Sequence, residues 1–210
     1  MRVEPFEMER LQSLWENRVE YNLSESGVHP MSLREVLGDD ISLEEFLDQK
    51  LGYGQTNGSP QLQESIAELY PSADAENVLV TNGAAEANFL AVCSRIEPGD
   101  EIIVMLPNYM QIWGLARALG AQIVPLPLRE QHRWAPDLGQ LARAFSRRTR
   151  LIAVCNPNNP TGAVPPNMKC RPSRTPHGKP GRGSWRMRCI GAPSERAPSR
   201  PASGAGTRRF

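Results

Sequence analysis

The sequence predicts an α/β fold, a mostly parallel sheet flanked by helices. Three observations point to it. Short apolar runs alternate with helix-period segments from Val78 onward, the runs are apolar throughout, and the segments between them can carry crossover helices. A strand apolar on both faces belongs in a sheet covered on both sides, which is the α/β arrangement.

The elements follow in order. Phe6, Leu11, Leu14, Trp15 and Val19 stand near helical spacing, which predicts a helix over Phe6 to Tyr21, ending before the Ser24-Glu25-Ser26-Gly27 loop. A second helix starts after Ser42, with Glu45 closing a capping box, and runs to about Leu51. Gly52 to Pro60 is a glycine-rich loop, and Pro60 suits the first turn of a helix reaching Tyr70. Four strands are then expected at Val78-Thr81, Ile102-Met105, Ile123-Val124 and Leu151-Val154. Helices over Ala84 to Arg95, Tyr109 to Leu119 and Asp137 to Phe145 separate them.

Composition divides the chain in two. Of 24 Lys+Arg and 23 Asp+Glu, the stretch Asn167 to Phe210 holds 11 bases and a single acid, Glu195. Residues 1–166 therefore carry a net negative charge and 167–210 a strongly positive one. The expected organisation is an N-terminal helical segment at 1–51, a partial α/β domain at 52–166, and a basic, Arg/Pro/Gly/Ser-rich tail at 167–210. That tail offers too few apolar groups to order itself and is expected to pack against nothing. No apolar run reaches the roughly 18 residues of a membrane span, and the acidic N-terminus lacks the features of a signal peptide, so a cytoplasmic location is expected. Cys93, Cys155, Cys170 and Cys189 form no CxxC pair and support neither a disulfide framework nor a metal site.

In such sheets ligands sit beyond the carboxyl ends of the strands. Thr81-Asn82-Gly83-Ala84-Ala85 brings small residues to a helix start, where free N–H groups and the positive dipole end can hold a phosphate; a plain tight turn fits the same residues. Tyr109 follows the next strand, as a ligand platform or as a core or helix-staple residue. The loop Asn156-Pro157-Asn158-Asn159-Pro160-Thr161-Gly162 is more specific, because its prolines fix φ while its asparagines can aim amides at a ligand oxygen.

With those residues together, the chain resembles the fold type I pyridoxal-phosphate enzymes, in particular the class I/II aminotransferases, whose NP-x-NPTG loop matches Asn156 to Gly162. LGYGQTNG, TNGAAEA, PGDEIIV, PNYMQI and GLARALGA follow in the family's order, so the resemblance covers roughly Tyr21 to Pro166. It implies pyridoxal 5'-phosphate as cofactor, an amino acid and a 2-oxo acid as substrates, and a homodimer. It assigns Gly83, Ala84 and Ala85 to the cofactor phosphate, Tyr109 to stacking on the pyridine ring and Asn159 to the ring hydroxyl. Tyr53 matches the tyrosine that reaches the partner subunit's cofactor phosphate, and Gly27 the glycine near the substrate carboxylate.

The resemblance stops after the NPTG loop. The only lysines are Lys50, Lys169 and Lys179, and none stands at the family's Schiff-base position; the aspartate of a DE-x-Y strand is also missing. The expected product is thus a truncated, inactive aminotransferase with no catalytic residue of its own. The tail itself suggests why. Back-translating Pro176 to Pro193 with GC-biased codons and reading one base earlier gives SRQAGAWLLADEVYRGA, which contains the missing motif. The tail therefore reads as an out-of-frame translation, with the shift between about Pro166 and Arg174. Two other functions compete: a pyridoxal-phosphate lyase or synthase of the same fold, and a non-catalytic protein whose basic tail binds nucleic acid. The tail's aromatics, Trp185 and Phe210, are not interleaved with its arginines, which argues against the latter. A dinucleotide fold would need a GxGxxG turn that is absent.

Overall fold

The computed structural model of the chain describes residues 2–24, 27, 30–38, 41–164 and 185–189. Helices α1 (Glu7–Trp15), α2 (Leu33–Leu37) and α3 (Leu43–Leu47) come first, and none of them buries a residue. Helix α4 (Pro60–Ala67) is capped by the Ser59 hydroxyl, with Pro60 in its first turn as the sequence predicts. The α/β layer follows as α5 (Gly83–Cys93), β1 (Glu101–Leu106), α6 (Gln111–Ala118), β2 (Gln122–Pro127), α7 (Leu138–Ala144), β3 (Thr149–Cys155) and β4 (Trp185–Cys189). The expected α/β class is therefore present, and every pairing in the sheet is parallel.

The strand order is β2-β1-β3-β4. Strand β1 lies in the middle, with Ile102, Ile103 and Val104 fully buried. One face packs Ile102, Val104, Leu151 and Ala153 against Val92 of α5 and Ile112, Leu115 and Ala116 of α6. On the other face, Ile103, Met105, Leu126, Leu128 and Val154 meet the partly buried Trp134, Leu141 and Ala144. Continuous apolar strands thus serve two cores, the physical reason the runs in the sequence do not alternate. At the amino ends, Arg148 Nη2 reaches Glu101 Oε1 at 2.6 Å and Arg150 Nε reaches Asp100 Oδ1 at 3.2 Å, so the β3 start is clipped to the β1 start.

Several expectations need correction. Val78-Thr81 is not a strand. A strand exists only through a hydrogen-bonded neighbour, and the one long-range backbone bond of this segment among the described residues is Val80 N–H to the Asn57 carbonyl at 3.0 Å, with no sheet strand alongside. The first helix ends at Trp15 rather than Tyr21, the second at Leu47 rather than about Leu51, and α4 at Ala67 rather than Tyr70. Helix α2 is an addition, built on a Ser32/Glu35 capping box. The tail does not remain wholly apart from the body, because Trp185–Cys189 adds a strand to β3, pairing Leu151 with Trp185 and Cys155 with Cys189. Its sequence alternates Trp185, Met187 and Cys189 with Arg186 and Arg188, the period of a half-buried strand, and the open edge of β3 supplies the unpaired groups that template it. The rest of 167–210 lies outside the described residues. Among the described residues no helix is long and apolar enough to cross a membrane.

Candidate functional site

The order β2-β1-β3-β4 fixes where a ligand can go. Chain progression turns outward from β1 to β2 on one side and to β3 on the other, so the loops after β1 and β3 part at their carboxyl ends and leave a crevice. The three unusual loops of the sequence gather around that crevice.

The first is the start of α5. Gly83 has φ +78°, a conformation side chains rarely adopt, and its N–H bonds the Thr81 carbonyl at 2.9 Å. Asn82 donates its backbone N–H to Glu86 Oε2 at 2.6 Å, which places a carboxylate at the positive end of the helix. Among the described residues no protein acceptor meets the N–H groups of Ala84 and Ala85, and 82–87 are exposed. These are the open donors that an anion at a helix start uses.

The second is the loop after β1. Tyr109 is half-buried and receives the Asn108 side-chain oxygen on its own N–H at 2.7 Å. Its ring meets that of Phe6 edge-on, with centroids 5.3 Å apart at 62°. Burial first, then the neighbouring negative charge of Glu9, pushes its phenol above the ordinary range. The N-terminal segment is therefore seated on Tyr109, and Glu4 adds an exposed ion pair with Arg117 at 3.0 Å.

The third loop follows β3. Asn158 donates through Nδ2 to the Pro107 carbonyl at 3.3 Å and to Thr161 Oγ1 at 2.9 Å, which ties it to the loop carrying Tyr109. Its backbone pairs with Ala163 and Gly162 at 2.9 Å and 2.7 Å, closing a compact turn that uses Gly162 at φ +68°. Cys155 donates its thiol to the Pro157 carbonyl at 3.2 Å, and burial pushes that thiol's pKa up. Asn159 is held by its backbone N–H on Cys155 Sγ at 3.3 Å while the residue itself stays exposed. Asn156 and Asn158 are buried, and the Oδ1 atom of each has no hydrogen-bond partner.

Sequence reasoning missed two residues that join the first and second loops. Gln111 donates through Nε2 to the Ala85 carbonyl at 2.7 Å and accepts at Oε1 from Asn88 Nδ2 at 2.9 Å. The signal lay in Asn88, an amide in an otherwise apolar helical run that turns out buried. Gly83, Ala84, Ala85, Tyr109 and Asn159 thus lie on loops that these bonds hold together. Tyr53 and Gly27 are exposed and lie on other loops. No group of three or more metal-binding side chains occurs among the described residues.

The comparisons with known proteins agree with this geometry. Residues 44–171 match the family of class I and II aminotransferases. Capreomycidine synthase of Streptomyces vinaceus is 38% identical over 145 residues, covering 68% of this chain and 37% of that protein. An aspartate aminotransferase of Pyrococcus horikoshii is 38% identical over 117 residues, covering 53% of this chain and 30% of the relative. The solved structure of a PLP-dependent aminotransferase from Streptococcus suis superposes with a TM-score of 0.72 at 33% identity, over 78% of this chain and 45% of that one. The chain spans less than half the length of these relatives. Sheet, switch-point crevice and matched segments lead to one conclusion: the chain belongs to the class I and II aminotransferase family.

Proposed function

We propose that the body of this chain is the cofactor-holding portion of a pyridoxal 5'-phosphate-dependent aminotransferase, a protein that moves an amino group from an amino acid to a 2-oxo acid. The observation that carries this reading is the crevice between β1 and β3, where an open helix start, an aromatic ring and an exposed asparagine converge. The residues present fit the cofactor, because two adjacent N–H groups without protein acceptors stand exposed where a phosphate would bind.

In this reading Gly83, Ala84 and Ala85 hold the phosphate, Tyr109 covers the pyridine ring and Asn159 donates to the ring hydroxyl. Tyr53, fully exposed, is the residue assigned to a second subunit's cofactor phosphate in a homodimer, and Gly27 is assigned to the substrate carboxylate by its match to the family. When bound, the cofactor supplies an electron sink for the bond broken at the substrate's α-carbon. In this reading the chain itself binds and orients; among the described residues the crevice holds no lysine to move the proton, and the chain is inactive in transamination.

A second reading has a specific support. Capreomycidine synthase is matched over more of this chain than the aspartate aminotransferase, which favours a synthase of the same fold. The substrate-contacting remainder of an intact protein decides between them.

The test is a calorimetric titration of the full chain with inorganic phosphate and pyridoxal 5'-phosphate, repeated on Gly83→Ala. At φ +78° an alanine costs about 1–3 kcal/mol or rotates the N–H groups away. Measured at a temperature where parent and variant are both folded, phosphate affinity should fall by about tenfold, with the melting temperature lowered by no more than that strain accounts for. A parent chain that binds neither molecule, or a variant that binds both as well as the parent, would overturn the site.

A further inference from the structure

We propose that Gln111, held by Asn88, is a positioning residue that sets the spacing between the phosphate-holding turn of α5 and the ring of Tyr109. This rests on the reading of the crevice given above. Gln111 opens α6 two residues after Tyr109, and its Nε2 reaches the Ala85 carbonyl at 2.7 Å. Ala85 belongs to the first turn of α5, where the N–H groups of Ala84 and Ala85 meet no protein acceptor among the described residues, so one side chain bridges the two halves of the site. Asn88, buried one turn further along α5, donates to Gln111 Oε1 at 2.9 Å and fixes which way the amide faces. With its acceptor taken by Asn88, the amide can only donate toward Ala85.

The physical consequence concerns coupling. A ligand whose phosphate and aromatic ring are joined by a short covalent link gains affinity over its separate parts only when the two subsites are held at the matching distance. A residue that holds that distance should affect the joined ligand and spare the parts. A residue that only stabilises the fold would weaken everything together.

The experiment uses the full chain with three probes: pyridoxal 5'-phosphate, pyridoxal and inorganic phosphate. Gln111→Met keeps the side-chain length and removes both hydrogen bonds. Affinity for pyridoxal 5'-phosphate should fall about tenfold, while affinity for pyridoxal and for phosphate should each change less than about twofold. Asn88→Leu should show the same split and serves if Gln111→Met does not fold. A parent that binds none of the probes overturns the site and this inference with it. A parent that binds all three, with variants that keep the joined-ligand advantage or lose all three affinities equally, overturns the positioning role alone.

Discussion

Incubated with pyridoxal 5'-phosphate and then reduced with borohydride, the chain should carry no stoichiometric pyridoxyl group on any lysine. The expectation follows from placement. The body has a single lysine, Lys50, which precedes the glycine-rich loop, and Lys169 and Lys179 follow the family's matched loop only within the basic tail. Covalent capture needs an amine held against the aldehyde in a site that favours its neutral form. Among the described residues no lysine lies on the loops after β1 or β3 or at the start of α5. Peptide mass spectrometry after reduction checks this, and one lysine labelled to completion at an equimolar ratio would show that a catalytic amine is present after all. Non-covalent binding at Ala84 and Ala85 is independent of that result, since helix N–H groups need no lysine.

The second large effect is on stability. Ile103 lies in the middle of the central strand, fully buried between Met105, Leu126, Leu128 and Val154. Replacing it with alanine leaves a cavity in the cluster that Leu141 and Ala144 of α7 cover, a change that costs about 2–5 kcal/mol. Small domains are stable by about 5–15 kcal/mol, so a large part of the margin disappears. This body has less margin than most, because Leu23, Leu51 and Tyr53 are almost wholly exposed and helices α1 to α3 bury nothing. The urea midpoint of Ile103→Ala should drop sharply, while Leu11→Ala, at a residue 60% exposed, should leave it within experimental error. Equal shifts for the two variants would mean that the sheet is not the stabilising core.

What was legible in the sequence is what local chemistry determines. Ser42 with Glu45, and Pro60, announce helix starts that the structure uses, because such signals need only residues within one turn. Ser32 with Glu35 has the same signature, but the short Leu33–Leu37 helix gives almost no periodicity to mark it. Val78-Thr81 misled for the opposite reason: its apolar run satisfies a local pattern, but a strand also requires a neighbour far along the chain. Strand β4 shows that dependence from the other side, since an alternating five-residue pattern becomes a strand where β3 offers an edge. The site divides in the same way. Gly83 and the Asn156 to Gly162 loop could be read from their own residues. The Phe6 contact with Tyr109 and the Ala85–Gln111–Asn88 relay join segments distant in sequence and could not.

The basic tail remains the decisive part of the account. Back-translated with GC-biased codons and read one base earlier, the tail would put Asp and Glu at Met187 and Arg188, within the strand that pairs beside β3, with Met187 opposite Ala153. An acid there, one strand from the loop carrying Asn159, is what a cofactor-holding crevice lacks in the present frame. The nucleotide sequence from the Pro166 codon onward tests this directly. The account predicts that the earlier frame encodes an Asp-Glu pair at these two positions and runs on, past the point where this chain ends, to a strand with a lysine at its carboxyl end. A stop codon in that frame before any such lysine, or codons giving no acid at position 187, would contradict it.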